Sequence, residues 1–222
     1  MRIGFFGGSF DPPHLGHLAV ARAAAETFHL DRVLFAPTGR QPLKPEGASA
    51  GFADRLAMVT LLCAAKGSSG SHAPELEPAG GNKGTVFEPC ALDAPLPDGS
   101  PNYTVDTLAR VRQGLLPEDR ILGIVGADAF LDLRRWKAPE TLLDLAEWIV
   151  VSRPAFSLPQ LDALGLNTAR RERVHLLEGV QETASATDIR SLLRRTADDQ
   201  SLERLLSASV LEYIRSHHLY GV

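Results

Sequence analysis

Residues 3–36, IGFFGGSFDPPHLGHLAVARAAAETFHLDRVLFA, contain the hydrophobic patterns that decide the fold. Ile3 to Phe6 is a short apolar run closed by two glycines, which is typical of a strand buried on both faces. Leu15 to Phe28 has the apolar spacing of an amphipathic helix, and Arg32 to Ala36 is a second strand-like run stopped by Pro37. This order of elements predicts a βαβ unit of a parallel sheet.

The rest of the chain continues the alternation of helices and strands. Helices are predicted at 53–65, 104–113 and 139–146, and strands at 86–89, 121–125, 148–151 and 174–177. Three more helices, at 187–195, 201–206 and 209–217, close the chain. We therefore predict an α/β fold: a doubly wound, mostly parallel Rossmann-like sheet with a small helical C-terminal segment over 185–222.

The length of 222 residues predicts a single domain spanning 1–222. Residues 67–101 are rich in Gly, Ser and Pro, and are predicted to form a flexible insertion or flap. The net charge of −4 and the scattered basic residues argue against a nucleic-acid partner. No apolar run suits a membrane span or a leader peptide, and Cys63 and Cys90 lack metal-ligand spacing, so we expect a cytoplasmic protein.

The turn after the first strand has the features of a phosphate site. In a doubly wound sheet, ligands bind beyond the carboxyl ends of the strands, where Gly7-Gly8-Ser9 falls. Glycine allows close approach of the backbone, and N–H groups at a helix start attract anions. The turn has neither the Walker A ending nor GxGxxG.

Two histidines follow that turn. His14 and His17 lie three residues apart, which predicts two imidazoles on one side of the helix start, with Gly16 leaving room for a triphosphate. Two N–H donors there suit charge stabilisation in phosphoryl or nucleotidyl transfer. The spacing leaves open a metal-binding pair, or a pair of capping and packing histidines.

Four blocks of sequence then point to a family. Residues 7–17, GGSFDPPHLGH, match every fixed position of the signature GGxFxPxHxGH. NYTVDTL at 102–108 resembles SYTxxTL, with Asn102 in place of Ser. Residues 126–136 resemble GADxxxxxxxW, and SATDIR at 185–190 resembles SxTxIR. In this order, and across nearly the whole chain, they resemble the HxGH-type nucleotidyltransferases, and within them the bacterial nicotinate-nucleotide adenylyltransferases.

The resemblance implies a reaction of NAD biosynthesis. The adenylyl group of ATP passes to nicotinic acid mononucleotide, giving nicotinic acid adenine dinucleotide and pyrophosphate, by direct in-line attack without a covalent intermediate. Mg²⁺ is implied through the ATP phosphates, with no protein metal ligand. Alternatives are nicotinamide mononucleotide or another phosphate acceptor, or a nucleotide-binding protein without catalysis. ATP and nicotinic acid mononucleotide are the expected partners, with no nucleic acid and no membrane, and a homo-oligomer is left open.

The resemblance also implies roles for individual residues. The groups that stabilise the phosphates are His14, His17, Lys44 and Arg190. The implied ATP contacts are Gly7, Gly8, Ser9, Phe10, Gly16, Gly126, Asp128, Ser185 and Thr187. Trp136 is expected to stack on the pyridine ring, with Thr104 and Asp106 near its carboxylate. Helix capping stays an alternative for Ser185, Thr187, Asp128, Thr104 and Asp106. Leu43 stands where the family has a histidine before Lys44.

Overall fold

The computed structural model describes residues 1–43, 46–65, 84–152, 161–180, 185–195 and 199–222. The strands in these ranges are β1 (Arg2–Gly8), β2 (Arg32–Pro37), β3 (Val86–Pro89), β4 (Arg120–Gly126), β5 (Glu147–Val151) and β6 (Val174–Leu177). The helices are α1 (Leu15–Phe28), α2 (Phe52–Ala64), α3 (Thr104–Gln113), α4 (Ala127–Leu131), α5 (Pro139–Leu145), α6 (Thr168–Arg171), α7 (Ala186–Arg194), α8 (Asp199–Glu203) and α9 (Ala208–Ser216). None of these helices is long and apolar enough to cross a bilayer.

The strands form one parallel sheet in the order β3-β2-β1-β4-β5-β6. This is the Rossmann strand order, which confirms the predicted fold class. The strand order reverses between β1 and β4, where Phe5 is paired with Leu34 on one side and with Gly123 on the other. A crevice therefore lies at the carboxyl ends of β1 and β4, which is where this fold binds ligands.

Neighbouring residues of the central strands supply two separate cores. Phe6 and Ile149 pack on the face covered by α1, α2 and the C-terminal helices. Phe5 and Val150 pack on the opposite face, which α3, α4 and α5 cover. Successive side chains of a strand point to opposite faces of the sheet. Helices consequently cover both faces, as a doubly wound fold requires.

The helices differ from the prediction where they have five residues or fewer. The helix predicted at 201–206 is α8, Asp199–Glu203. It ends earlier than predicted. The N–H groups of Leu205 and Leu206 both donate to the Leu202 carbonyl, and Ser207 then caps α9. The sequence did not predict α4 and α6, which have five and four residues and are too short to show a helical period.

Part of the segment predicted as a flexible insertion belongs to the sheet. Positions 67–83 lie outside the described residues. Val86–Pro89 is strand β3 and pairs with β2, and Cys90 and Asp93 after it are buried. The Gly-, Ser- and Pro-rich composition is therefore a poor guide to flexibility at 84–101. An edge strand tolerates proline, and buried side chains hold the loop beyond it.

Candidate active site

The turn between β1 and α1 is built on a buried aromatic ring. Phe10 has a left-handed backbone (φ 46°) and is only 1% exposed. Its ring centroid lies 5.5 Å from that of Phe6 and 4.8 Å from that of His17. Such a backbone is uncommon for a bulky residue, and the aromatic packing of the side chain offsets its cost. Phe10 thus fixes the path of the chain into α1.

His14 and His17 contact each other at the start of α1. Their ring centroids are 3.7 Å apart, and the backbone N–H of His14 donates to Nδ1 of His17 at 3.2 Å. An Nδ1 that accepts a hydrogen bond carries no proton, so a neutral His17 holds its proton on Nε2. The two imidazole rings therefore pack against each other, which was one of the alternatives for this pair. The Nε2–H of His17 stays available as a donor.

Burial keeps both imidazoles neutral at pH 7. It lowers the pKa of His14 to about 4. Burial also lowers the pKa of His17 well below its usual value, and the neighbouring His14 lowers it further. The pair can therefore offer N–H donors to a phosphate, but it does not carry imidazolium charge at neutral pH. Across the described residues, no group of three or more His, Cys, Asp and Glu side chains is arranged to hold a metal.

Asp11 anchors the turn from inside. Its carboxylate is buried, and it accepts hydrogen bonds from the backbone N–H groups of Ser49 (2.6 Å) and Ala50 (3.0 Å). These two residues lie just before α2, so Asp11 ties the β1–α1 turn to the loop after β2. Asp11 is a charged residue inside the matched signature, but it occupies a variable position there, so no motif predicted a role for it.

Arg55 is a second anchor, and it lies outside every predicted motif. This guanidinium is 2% exposed and donates to the carbonyls of Ser9 (2.6 Å), Thr38 (2.9 Å) and Ala50 (3.1 Å). It therefore joins the carboxyl ends of β1 and β2 to the start of α2. One signal was present: Arg55 occupies the face of α2 that also carries the buried Met58, Val59 and Leu62.

The C-terminal block reaches the same turn. Ser185 caps α7 by accepting a hydrogen bond from the N–H of Asp188 at 3.2 Å. Arg190, one turn further on, donates from Nη2 to Thr187 Oγ1 (3.2 Å) and from Nη1 to the Asp11 carbonyl (2.6 Å). The structure thus brings the predicted cation Arg190 next to the turn that carries the histidines.

A cavity of about 440 Å³ opens at the carboxyl ends of β1 and β4. Five of the predicted site residues line it, namely Gly7, Gly8, Thr104, Asp128 and Trp136. The indole ring of Trp136 meets the buried ring of Trp148 edge-on, with centroids 5.8 Å apart. The glycine turn and Trp136 therefore share one pocket.

Other predicted residues do not line this cavity. They are Ser9, Phe10, His14, Gly16, His17, Asp106, Gly126, Ser185, Thr187 and Arg190. Lys44 lies outside the described residues. Asp106 forms an ion pair with Lys137 at 2.9 Å on the exposed side of α3. The helix caps are Tyr103 for α3 and Gly126 for α4, so Thr104, Asp106 and Asp128 follow the caps.

One wall of the cavity is a polar network. Asn102 is buried; its Oδ1 accepts from the N–H of Arg40 (2.9 Å), and its Nδ2 donates to the carbonyl of Ala94 (2.8 Å). Nearby, Thr107 Oγ1 donates to Asp93 at 2.5 Å, and burial raises the pKa of Asp93. Asn102, which stands in place of the usual serine, therefore has a structural role, since its longer side chain joins two loops.

The guanidinium of Arg40 contacts the loop before α3. Its Nη1 donates to the Gly99 carbonyl at 2.7 Å. Arg40 therefore holds the loop before α3 in place.

The sheet order, the glycine turn and the pocket at the strand reversal define an α/β nucleotide-binding protein. Residues 5–192 match the family described as cytidylyltransferase-like. A protein of Thermus thermophilus named as a probable nicotinate-nucleotide adenylyltransferase is 38% identical over 221 residues, covering 99% of this chain and 100% of its own. One of Moorella thermoacetica with the same name is 35% identical over 221 residues, covering 99% and 91%. The chain belongs to the cytidylyltransferase-like family and, within it, to the nicotinate-nucleotide adenylyltransferases.

A solved structure shares the fold. The Plasmodium falciparum nicotinic acid mononucleotide adenylyltransferase complexed with NaAD superposes with a TM-score of 0.69 at 17% identity. The match covers 99% of this chain and 97% of that one. At this identity the likeness concerns the fold, and it agrees with the six-stranded parallel sheet.

Proposed function

We propose that the chain transfers the adenylyl group of ATP to nicotinic acid mononucleotide, forming nicotinic acid adenine dinucleotide and pyrophosphate. One observation carries the proposal: a single cavity extends from the Gly7-Gly8 turn to Trp136 and Thr104. A phosphate-binding turn and an aromatic platform in one pocket suit two substrates that react with each other. Full-length similarity to relatives named for this activity supports the same conclusion.

The ATP half of the site lies around the glycine turn in this proposal. Gly7, Gly8 and Gly16 leave room for the triphosphate, and Ser9 and Phe10 meet it through their backbone. Adenosine sits beyond β4, next to Gly126 and Asp128. The cations on the phosphates are Arg190 and Lys44. Ser185 caps the helix that carries Arg190, and Thr187 orients its guanidinium.

The acceptor half lies at the other end of the cavity. Trp136 stacks on the pyridine ring, and Thr104, the first residue of α3, lies beside it. Asp106 acts through its ion pair with Lys137, whose ammonium lies 4.5 Å from the centre of the Tyr103 ring. This end therefore holds an aromatic platform beside the exposed Lys137–Asp106 ion pair, and a pyridine carboxylate can share the ammonium with Asp106.

The chemistry needs no nucleophilic side chain. A phosphate oxygen of the mononucleotide attacks the α-phosphorus of ATP, a new P–O bond forms, and the bond to pyrophosphate breaks. ATP enters with magnesium on its phosphate oxygens, because Mg²⁺ prefers oxygen ligands and is commonly held by substrate phosphates. The neutral N–H donors of His14 and His17, with the fixed charge of Arg190, stabilise the charge that develops on the phosphate oxygens.

A parallel turnover assay tests this function. The purified chain receives MgATP with nicotinic acid mononucleotide, nicotinamide mononucleotide or phosphopantetheine, and pyrophosphate release is measured. We expect the highest kcat/KM with the acid mononucleotide. A higher kcat/KM with another acceptor would change the substrate assignment. ATP binding without pyrophosphate from any acceptor would refute the enzymatic function.

A further inference from the structure

The C-terminal segment, residues 185–222, contacts the β1–α1 turn at three points. The N–H of Leu15, at the start of α1, donates to the Leu205 carbonyl at 2.8 Å. Arg190 Nη1 donates to the Asp11 carbonyl, and the Tyr220 hydroxyl donates to Asp11 Oδ1 at 2.8 Å. Two of these contacts meet at Asp11, three residues before His14. The end of the chain is thus built into the support of the histidine turn.

The carboxylate of Asp11 is the centre of this support. Its Oδ1 accepts from Tyr220 and Ala50, and its Oδ2 accepts from Ser49 and lies 3.8 Å from Arg190 Nη1. Asp11 is only 4% exposed, so its charge depends on these partners instead of on water. Burial and the Asp11 charge raise the pKa of the Tyr220 phenol, which keeps the hydroxyl protonated as a donor.

We propose that Tyr220 is a positioning residue for the triphosphate end of the site. Its hydroxyl fixes the Asp11 carboxylate, and Asp11 in turn fixes the chain that leads into His14 and the carbonyl that receives Arg190. Tyr220 acts through Asp11 and contacts no reacting atom. The inference rests on the proposed function for its kinetic readout, while its binding readout is independent of turnover.

Tyr220→Phe is the direct test, because it removes the hydroxyl and keeps the ring. A hydrogen bond to a charged group is worth about one power of ten in an equilibrium constant, so we expect the KM for ATP to rise about tenfold. The KM for the mononucleotide should stay unchanged, since the acceptor end of the cavity is not tied to Tyr220. General loosening of the fold would not produce this split between the two substrates.

The matched control is Tyr213→Phe. Tyr213 lies in the same C-terminal segment, and its hydroxyl also donates to a carboxylate, Asp54 Oδ1, at 3.1 Å. That bond joins α9 to α2 and does not involve the turn. We expect Tyr213→Phe to keep the wild-type KM for ATP. An unchanged KM for ATP in Tyr220→Phe, or an equal rise in the KM for ATP in both variants, would overturn the inference.

The route through Asp11 has its own test. In an Asp11→Ala background, adding Tyr220→Phe should change the KM for ATP less than twofold, because the partner of the hydroxyl is already gone. A further tenfold rise in the KM for ATP would show that Tyr220 does not act through Asp11. If Asp11→Ala does not fold, the comparison of Tyr220→Phe with Tyr213→Phe decides alone.

Failure of the proposed function can be separated from failure of this inference. If the wild-type chain releases no pyrophosphate with any acceptor, the proposed function fails. Binding of a non-hydrolysable ATP analogue is then measured by calorimetry for the wild type, Tyr220→Phe and Tyr213→Phe. Weaker binding of about tenfold in Tyr220→Phe alone supports the inference, and equal binding in all three proteins overturns it.

Discussion

The backbone N–H of His14 donates a hydrogen bond to Nδ1 of His17 at 3.2 Å. This bond fixes the tautomer of the neutral His17 ring, because an accepting Nδ1 requires the proton to be on Nε2. It also explains the three-residue spacing, since the two residues occupy the cap position and the third position of α1. The bond therefore presets the Nε2–H of His17 as a donor of the β1–α1 turn.

Loss of the His17 imidazole should remove most of the turnover. For His17→Ala we expect kcat to fall about 100- to 1000-fold, as when one preorganised donor to a developing oxyanion is lost. Steady-state kinetics with MgATP and nicotinic acid mononucleotide measures the effect. Circular dichroism should show an intact fold.

The control for that variant is His217→Ala, which removes an exposed imidazole on the far end of α9. This change should leave kcat within about twofold, in line with an exposed residue away from the site. A His17→Ala enzyme with near wild-type kcat would contradict the role of His17.

The buried histidine pair should make stability fall in mild acid. The pKa of His14 falls from 6.5 to about 4 on folding, so the unfolded chain binds the proton first as the pH drops. Stability is therefore fully present above pH 6.5 and is lost toward pH 4, by about 3 kcal/mol for this one group. The free energy of unfolding in urea, measured from pH 7 to pH 4, should fall more steeply for the wild type than for His14→Gln.

The comparison with His14→Gln isolates the histidine. Asp93, whose pKa is raised by burial, changes stability in the opposite direction, but it is present in both proteins. Parallel pH curves for the two proteins would show that His14 is not buried as a neutral group.

Replacing Trp136 should affect the acceptor and not ATP. Stacking of a base on an aromatic ring is worth about 1–3 kcal/mol, so Trp136→Ala should raise the KM for the mononucleotide about tenfold or more. Trp136→Phe keeps a stacking face and should recover most of this loss. If the KM for ATP rises instead, Trp136 lies in the ATP half of the site, which would contradict this prediction.

The Asn102 bridge should contribute to stability. Asn102→Ala leaves the Arg40 N–H and the Ala94 carbonyl without this partner, which should cost about 2 kcal/mol in the free energy of unfolding. Ser100→Ala, in the same loop, removes only the solvent-exposed hydrogen bond of its hydroxyl to Asp98 and should cost less than about 1 kcal/mol. Equal urea midpoints for the two variants would show that the bridge contributes little.

The sequence predicted the strands and the longer helices of the fold. The predicted bounds of α1, α3, β3 and β6 agree with the structure, and the parallel Rossmann-like order follows from the alternation of elements. The five-residue α4 and the buried loop after β3 were missed. A five-residue helix is too short to show a helical period of apolar residues. A Gly- and Pro-rich composition does not reveal which side chains anchor a loop.

Three separate motifs supplied residues that the fold brings together. Gly7, Gly8, Asp128, Thr104 and Trp136 do line one cavity. Tyr220 and Arg55 were missed, since their partners are distant; Tyr220 lies 209 residues from Asp11. Pairings of this kind depend on how the elements pack, which a motif does not record.

The most direct test of the proposed reaction is the stoichiometry of its two products. The chain is incubated with MgATP and nicotinic acid mononucleotide, and nicotinic acid adenine dinucleotide and pyrophosphate are quantified by mass spectrometry and a coupled assay. We predict equal amounts of both products, and neither product when the mononucleotide is omitted. Pyrophosphate released without the acceptor, or without formation of the dinucleotide, would contradict direct transfer between the two substrates.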